Sequence, residues 1–141
     1  MFKLFRFLST MLIIAILPVA GAQTNDSAAN QARQVIQAQL DAFASDDALR
    51  AFSYATPSTR ARFGSAENFL AMVRSGYPAV YRPASVSFLA AKTEADSVIQ
   101  PVSIADDAGR LWIALYQLVR QPDSSWRIEG CQLIQQPGSR T

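Results

Sequence analysis

The 141-residue chain contains no histidine and a single cysteine, Cys131. Without histidine the commonest general base, the usual nucleophilic triads and the commonest zinc ligand are missing together. One cysteine cannot close an internal disulfide, so packing has to supply the stability. Cys131 itself reads as a small buried strand residue, because no second cysteine or cationic motif stands near it to activate the thiol. A glycine-rich phosphate loop, a nucleophile elbow and an acidic metal loop are also lacking. The neighbouring acids Asp46-Asp47 and Asp106-Asp107 stand where a helix cap or a turn uses aspartate for its own backbone hydrogen bonds. No metal and no cofactor is expected.

A long apolar run occurs only at the start. Met1 to Phe7 carries Lys3 and Arg6 and no acid, and Leu8 to Val19 is interrupted only by Ser9, Thr10 and Pro18. A charged segment, a short apolar one and then Ala20-Gly21-Ala22 make residues 1–22 a cleavable signal peptide, with cleavage between Ala22 and Gln23. The apolar run falls short of the roughly 20 residues a spanning helix needs. The expected location is therefore periplasmic or secreted, with no membrane attachment after cleavage. The remainder, residues 23–141, has the length of one domain, and about 31–134 are expected to be ordered between a polar lead (Gln23 to Asn30) and a polar tail (Gln135 to Thr141).

Charge is nearly balanced. Of 13 lysines and arginines Lys3 and Arg6 leave with the signal, so 11 basic residues face 11 acidic ones. A neutral domain offers no electrostatic footprint for nucleic acid or an anionic membrane, and neither is expected as a partner.

Ala32, Val35, Ile36, Leu40 and Phe43 recur at helical spacing, which predicts a helix from Ser27 to Ala44 capped by Asp26 or Ser27. A shorter helix is predicted from Asp47 to Tyr54, presenting Leu49 and Phe52 and ended by Pro57. Thr59 to Phe63 can add a helical turn stopped by Gly64, and Ser65 opens a further helix through Arg74 that stops at Gly76. From Pro83 onward the apolar period becomes two: Val86, Phe88 and Ala90; Val98, Gln100, Val102 and Ile104; Arg110 to Arg120; and Trp126 to Ile134. Turns fall near Glu94 to Asp96, at Asp106 to Gly109 and at Gln121 to Ser125. Helices followed by an antiparallel meander of about four strands define an α+β fold with the helices on one face. The strand Arg110 to Arg120 is apolar on both faces, with Leu111, Ile113, Leu115 and Val119 opposite Trp112, Ala114, Tyr116 and Leu118. Helices cover only one set, so a homodimer joined through the sheet is expected.

The runs Ala51 to Ala55, Arg60 to Gly64, Met72 to Pro83 (with Gly76-Tyr77-Pro78-Ala79-Val80-Tyr81-Arg82-Pro83) and Ser125 to Cys131 resemble an uncharacterised family of exported bacterial proteins, domain of unknown function 4864. That resemblance brings no activity and no catalytic residue. More distantly, helices leading into a bent antiparallel sheet are similar to the NTF2-like or SnoaL-like (cystatin-like) cone, which implies a pocket between helices and sheet.

On that reading Arg74, Tyr77, Tyr81 and Arg82 surround two prolines at the mouth of the cone, either as a rim for a small ligand or as a rigid crossover. Trp112, Tyr116 and Trp126 line the interior or form plain core. Arg60 and Arg62 read as helix-end charges. The expected function is a non-catalytic exported domain that binds a small apolar or weakly acidic ligand, or a protein partner, through the cone mouth. The alternatives are a histidine-free isomerase-like or hydrolase-like enzyme, in which a carboxylate and a phenol move the proton, and a structural or interaction protein of the cell envelope.

Overall fold

The computed structural model describes residues 20–137. The charged and apolar parts of the expected signal, and the end of the expected polar tail, lie outside the described residues. Five helices precede five strands.

α1 (Ala20–Ala44) buries Ala32, Ile36, Leu40 and Phe43, the residues whose spacing predicts it. It starts earlier than expected. Ser27 is no cap, since its hydroxyl accepts from Gln31 Nε2 one turn on at 3.0 Å, and the lead from Gln23 to Asn30 is helical rather than loose. That lead has two alanines and neither proline nor glycine, and Ala28 packs against the core. The described helices include none long and apolar enough to cross a membrane.

Side-chain caps set the next three helices. Asp47 accepts from Arg50 N at 3.1 Å to open α2 (Ala48–Ser53). Here the expected inward face is corrected: Leu49 is 74% exposed, while Ala51 is fully buried and Phe52 packs against the core. Pro57 does not end α2 but takes the first turn of α3 (Pro57–Phe63), where its fixed φ suits a helix and its missing N–H costs nothing. Thr56 is the cap, and Gly64 at φ 79° closes the helix. Ser65 caps α4 (Ala66–Gly76) by accepting from Asn68 N at 3.1 Å. The crossover that follows holds an unexpected single helical turn, α5 (Pro78–Tyr81), again begun by a proline.

The strands are β1 (Ser85–Phe88), β2 (Lys92–Glu94), β3 (Ser97–Ala105), β4 (Leu111–Arg120) and β5 (Trp126–Gln135), all antiparallel in one sheet of order β1-β3-β4-β5. β2 is the addition to the expected four, and it pairs with β3 beside β1. β1 and β2 amount to one edge strand broken opposite Pro101. Leu89 N still donates to the Pro101 carbonyl (3.0 Å), but proline has no N–H to return. The buried Gln100 amide donates to the Leu89 carbonyl instead (2.8 Å), and Arg33 of α1 reaches Gln100 Oε1 at 3.4 Å. A β-bulge at Glu129 shifts the register of β5 against Gln117 and Leu118.

The helices cover one face only. Val98, Gln100, Val102 and Ile104 of β3, Ala114, Tyr116 and Leu118 of β4, and Trp126 and Ile128 of β5 meet the buried stripe of α1 and Phe69, Leu70 and Val73 of α4. Phe69 lies at the centre of an aromatic group, 5.9 Å from Phe43, 5.6 Å from Phe52 and 5.5 Å from Phe63 between ring centroids. The opposite face carries Leu111 and Ile134, both 42% exposed, with Ile113, Leu115 and Val119 half-buried along β4.

Candidate functional site

The tight turn between α1 and α2 places Asp46 in the left-handed region, φ 53°, where aspartate is tolerated better than most residues. Its carboxylate accepts from the Tyr81 hydroxyl and from Arg82 Nη2 at 3.1 Å, and Arg74 stands 3.9 Å away. The Arg82 guanidinium lies 4.0 Å and that of Arg74 5.4 Å from the centre of the Tyr81 ring, within cation–π range. Arg82 Nη1 also donates to the carbonyls of Phe43 and Tyr81. The Tyr81 hydrogen bond above all, aided by Arg82 and Arg74, holds the Asp46 carboxyl below its usual range. The cluster thus satisfies itself, and it pins α5 to the end of α1.

A second arrangement lies inside. A cavity of about 180 Å³ opens between α3, α4 and α5 and the inner face of β4 and β5. α4 supplies Phe69, Met72 and Val73 at the three-and-four spacing that points side chains the same way. Phe63, Val80 and Ile128 complete an apolar wall, and Gln39, Thr59, Arg62, Tyr77, Tyr116, Glu129 and Cys131 supply polar atoms. Most of these are committed elsewhere. Gln39 Nε2 donates to the Ala51 carbonyl at 3.1 Å, and the Thr59 hydroxyl donates to the Glu129 carbonyl at 2.9 Å. The bulge turns the Glu129 carboxylate toward α3, where it accepts from Thr56 Oγ1 at 2.6 Å and Ser58 Oγ at 3.3 Å.

Tyr116 differs. It is 1% exposed, and its hydroxyl is buried without a hydrogen-bond partner. Burial first, and then the neighbouring Cys131 thiol, push its ionisation well above the ordinary phenol range. Burial likewise raises the Cys131 thiol to about 12, so it is no nucleophile at neutral pH.

A wider hollow of about 550 Å³ lies beside the cavity, lined by Gly76 to Ala79, Arg82, the Asp106 turn, Trp112 and Leu133. Tyr77 and Cys131 line both spaces and separate them. Trp112 Nε1 at 3.0 Å and Arg110 Nε at 2.8 Å both donate to Asp106 Oδ2. Those bonds, Trp112's foremost, hold the Asp106 carboxyl below its usual range and stiffen the rim.

The six residues singled out from sequence are divided accordingly. Tyr77 and Tyr116 line the inner cavity; Tyr77, Arg82 and Trp112 line the outer hollow; Arg74 and Tyr81 line neither. Trp126 is core, 5% exposed. Arg62, read as a helix-end charge, does fall in the last turn of α3, and it also reaches the cavity edge. Sequence reasoning missed Phe63, Phe69, Met72, Val73 and Ile128 as cavity wall, because an apolar residue facing a space has the same periodicity as one facing a neighbour. Among the described residues no group of three or more Cys, Asp or Glu side chains is placed to hold a metal ion.

Residues 25–141 match the family described as Domain of unknown function (DUF4864), and the chain belongs to it. No curated protein and no solved structure gives a significant match.

Proposed function

We propose that this protein is an exported, non-catalytic binding domain of NTF2-like cone architecture that takes a small apolar or weakly acidic molecule between its helices and its sheet. The observation that carries the reading is the inner cavity of about 180 Å³, walled by Phe63, Phe69, Met72, Val73, Val80 and Ile128. The space opens at the helix–sheet seam and is lined mainly by apolar side chains with a few polar ones, the usual character of a small-molecule site. The outer hollow gives the route in, past Tyr77 and Cys131. Glu129 is the one carboxylate on the cavity wall, and its bonds to Thr56 and Ser58 favour a strut over a proton-transfer base. The test is native mass spectrometry of protein purified from the periplasm or culture medium. A retained small molecule that is lost on replacing Val73 by tryptophan, in a variant that still unfolds cooperatively, supports the reading; catalytic turnover of that molecule would instead favour an enzyme.

A second copy of the chain is the proposed partner for the outer sheet face. Its centre carries Leu111, Ile113 and Leu115 with Ile134 directly paired to Ile113, a patch without charge that a two-fold axis would bury on both chains. Sedimentation at micromolar concentration should give a dimer, and Ile113→Asp a folded monomer; a wild-type monomer refutes the dimer.

A further inference from the structure

We infer that two copies of the chain stack their outer sheet faces about a two-fold axis running along the strands between β3 and β4, which sets Glu94 of each copy against the partner's Arg127. The arrangement rests on the reading of that face as a dimer contact and specifies how the copies meet.

Register comes first. Strand pairing lines up the outward residues of the sheet in rows, because side chains alternate between its two faces. The end row runs Glu94, Ser97, Val119 and Arg127 from β2 to β5. The next runs Lys92, Ile99, Gln117 and Gly130. Beyond them Pro101 pairs with Leu115, Ser103 with Ile113 and Ala105 with Leu111. The charged residues of these rows, Lys92, Glu94 and Arg127, therefore all stand at one end of the face.

Shape picks the axis. In four of the rows the β4 residue is the larger: Val119, Leu115, Ile113 and Leu111 stand beside Ser97, Pro101, Ser103 and Ala105 of β3. The row of Ile99 and Gln117 lacks the contrast. An axis along the strands lays β3 of one copy over β4 of the other in the same row, so large side chains settle over small ones. An axis across the strands would lay β4 on β4 and β3 on β3, crowding one half of the face and leaving the other half with gaps. Either axis keeps the strands aligned, as stacked sheets require, so packing decides.

Charge agrees with shape. The axis along the strands brings the β2 edge of one copy over the β5 edge of the other, and in the end row Glu94 falls opposite the partner's Arg127. Lys92 falls opposite the partner's uncharged Gly130. Within one copy Glu94 and Arg127 are three strand spacings apart, roughly 14 Å. Among the described residues neither forms a salt bridge. Arg127 has Nη1 on the Trp126 carbonyl at 2.9 Å and Asp123 as a charged neighbour, and Glu94 is exposed. Stacked sheets lie about 10 Å apart, a gap that a glutamate and an arginine at the rim span together. Symmetry makes two such pairs, one on each side of the apolar centre.

The experiment is sedimentation equilibrium of wild type, Glu94→Arg, Arg127→Glu and an equimolar mixture of the two variants. Wild type should dimerise at micromolar concentration. Each single reversal sets two like-charged pairs across the axis, and it should weaken self-association about tenfold or more. In the mixture one copy carries two arginines at these positions and the other two glutamates, so every pair attracts again and the heterodimer should form as tightly as the wild-type dimer. Reversals that leave dimerisation unchanged, or a mixture no tighter than its components, overturn the arrangement and leave the dimer reading intact. A wild-type monomer removes that reading itself. The wild-type dimer should also loosen as salt is raised, a comparison that needs no variant, and a dimer indifferent to salt overturns the pairing.

Discussion

Two tyrosines in this domain have opposite circumstances. Tyr81 lies in the most distinctive stretch of the sequence, and its hydroxyl, its ring and its carbonyl are all engaged by Asp46, Arg74 and Arg82. Tyr116 lies in a plain apolar strand, and its enclosed hydroxyl has only the weakly bonding Cys131 side chain beside it. The contrast separates two kinds of polar residue. Where arginines, tyrosine and aspartate satisfy one another, the chemistry is spent on holding the crossover against α1. Where a phenol is enclosed with a thiol as its one polar side-chain neighbour, burial and not bonding dominates its chemistry.

Phe43 belongs to both regions, since its carbonyl accepts from Arg82 while its ring packs on Phe69 at the cavity side. Phe43→Ala leaves that carbonyl in place but deletes the buried ring, and it should have the largest effect on stability, a loss of about 3–5 kcal/mol in denaturant unfolding, as large aromatic truncations in cores do. A loss below about 1 kcal/mol would mean that the Phe43 ring is not a support of the aromatic group around Phe69.

The two tyrosines should respond to loss of the hydroxyl with opposite signs. Tyr116→Phe removes a buried hydroxyl whose polar side-chain neighbour is only the weakly bonding Cys131 thiol, so the protein should gain up to about 1–3 kcal/mol, the usual penalty of a poorly satisfied buried polar atom. Tyr81→Phe removes a made bond and should lower the unfolding midpoint. Urea titration of both variants beside wild type checks the pair. A loss of stability in Tyr116→Phe would show that its hydroxyl is satisfied in the free protein, and the contrast would collapse.

Much of the fold was legible because local chemistry decides it. Asp47, Thr56, Ser65 and Gly64 act at helix ends within a few residues, and the change of period at Pro83 marks the passage from helices to sheet. What was illegible depends on distant partners. The broken edge strand needs Arg33 of α1 to meet Gln100 in β3, and Leu49 faces outward because Ala51 and Phe52 take the inner side of a helix too short to show its phase. The site was legible in part. Alternation along β4 places Tyr116 inward, but nothing in its neighbours along the chain says that its hydroxyl meets only Cys131 of β5. Arg74 and Tyr81 attract notice for their chemistry, and the structure shows that chemistry closed upon Asp46.

The smallest effect tests the satisfied cluster through pH. The folded-state ionisation of Asp46 is lowered from 3.8 by the Tyr81 hydrogen bond, with Arg82 and Arg74 adding to it. A carboxyl whose folded value is depressed stabilises the protein above its unfolded value, and that contribution is lost as pH falls through the folded one. Asp46→Asn is the suitable probe, because asparagine also accepts φ 53° and can still accept from Tyr81. The charge is removed together with the second acceptor oxygen, the one that takes Arg82 Nη2. At pH 7 the variant should unfold at a lower urea concentration than wild type, and the two midpoints should converge as pH drops below about 4. High salt at pH 7 should narrow the gap as well, since about half of each side chain of the Asp46–Arg82 pair meets solvent. A gap that persists unchanged at acid pH would mean that the turn needs aspartate for its shape and not for its charge. The cluster would then hold the crossover through hydrogen bonds alone, with Arg74 contributing little beyond its contact with the Tyr81 ring.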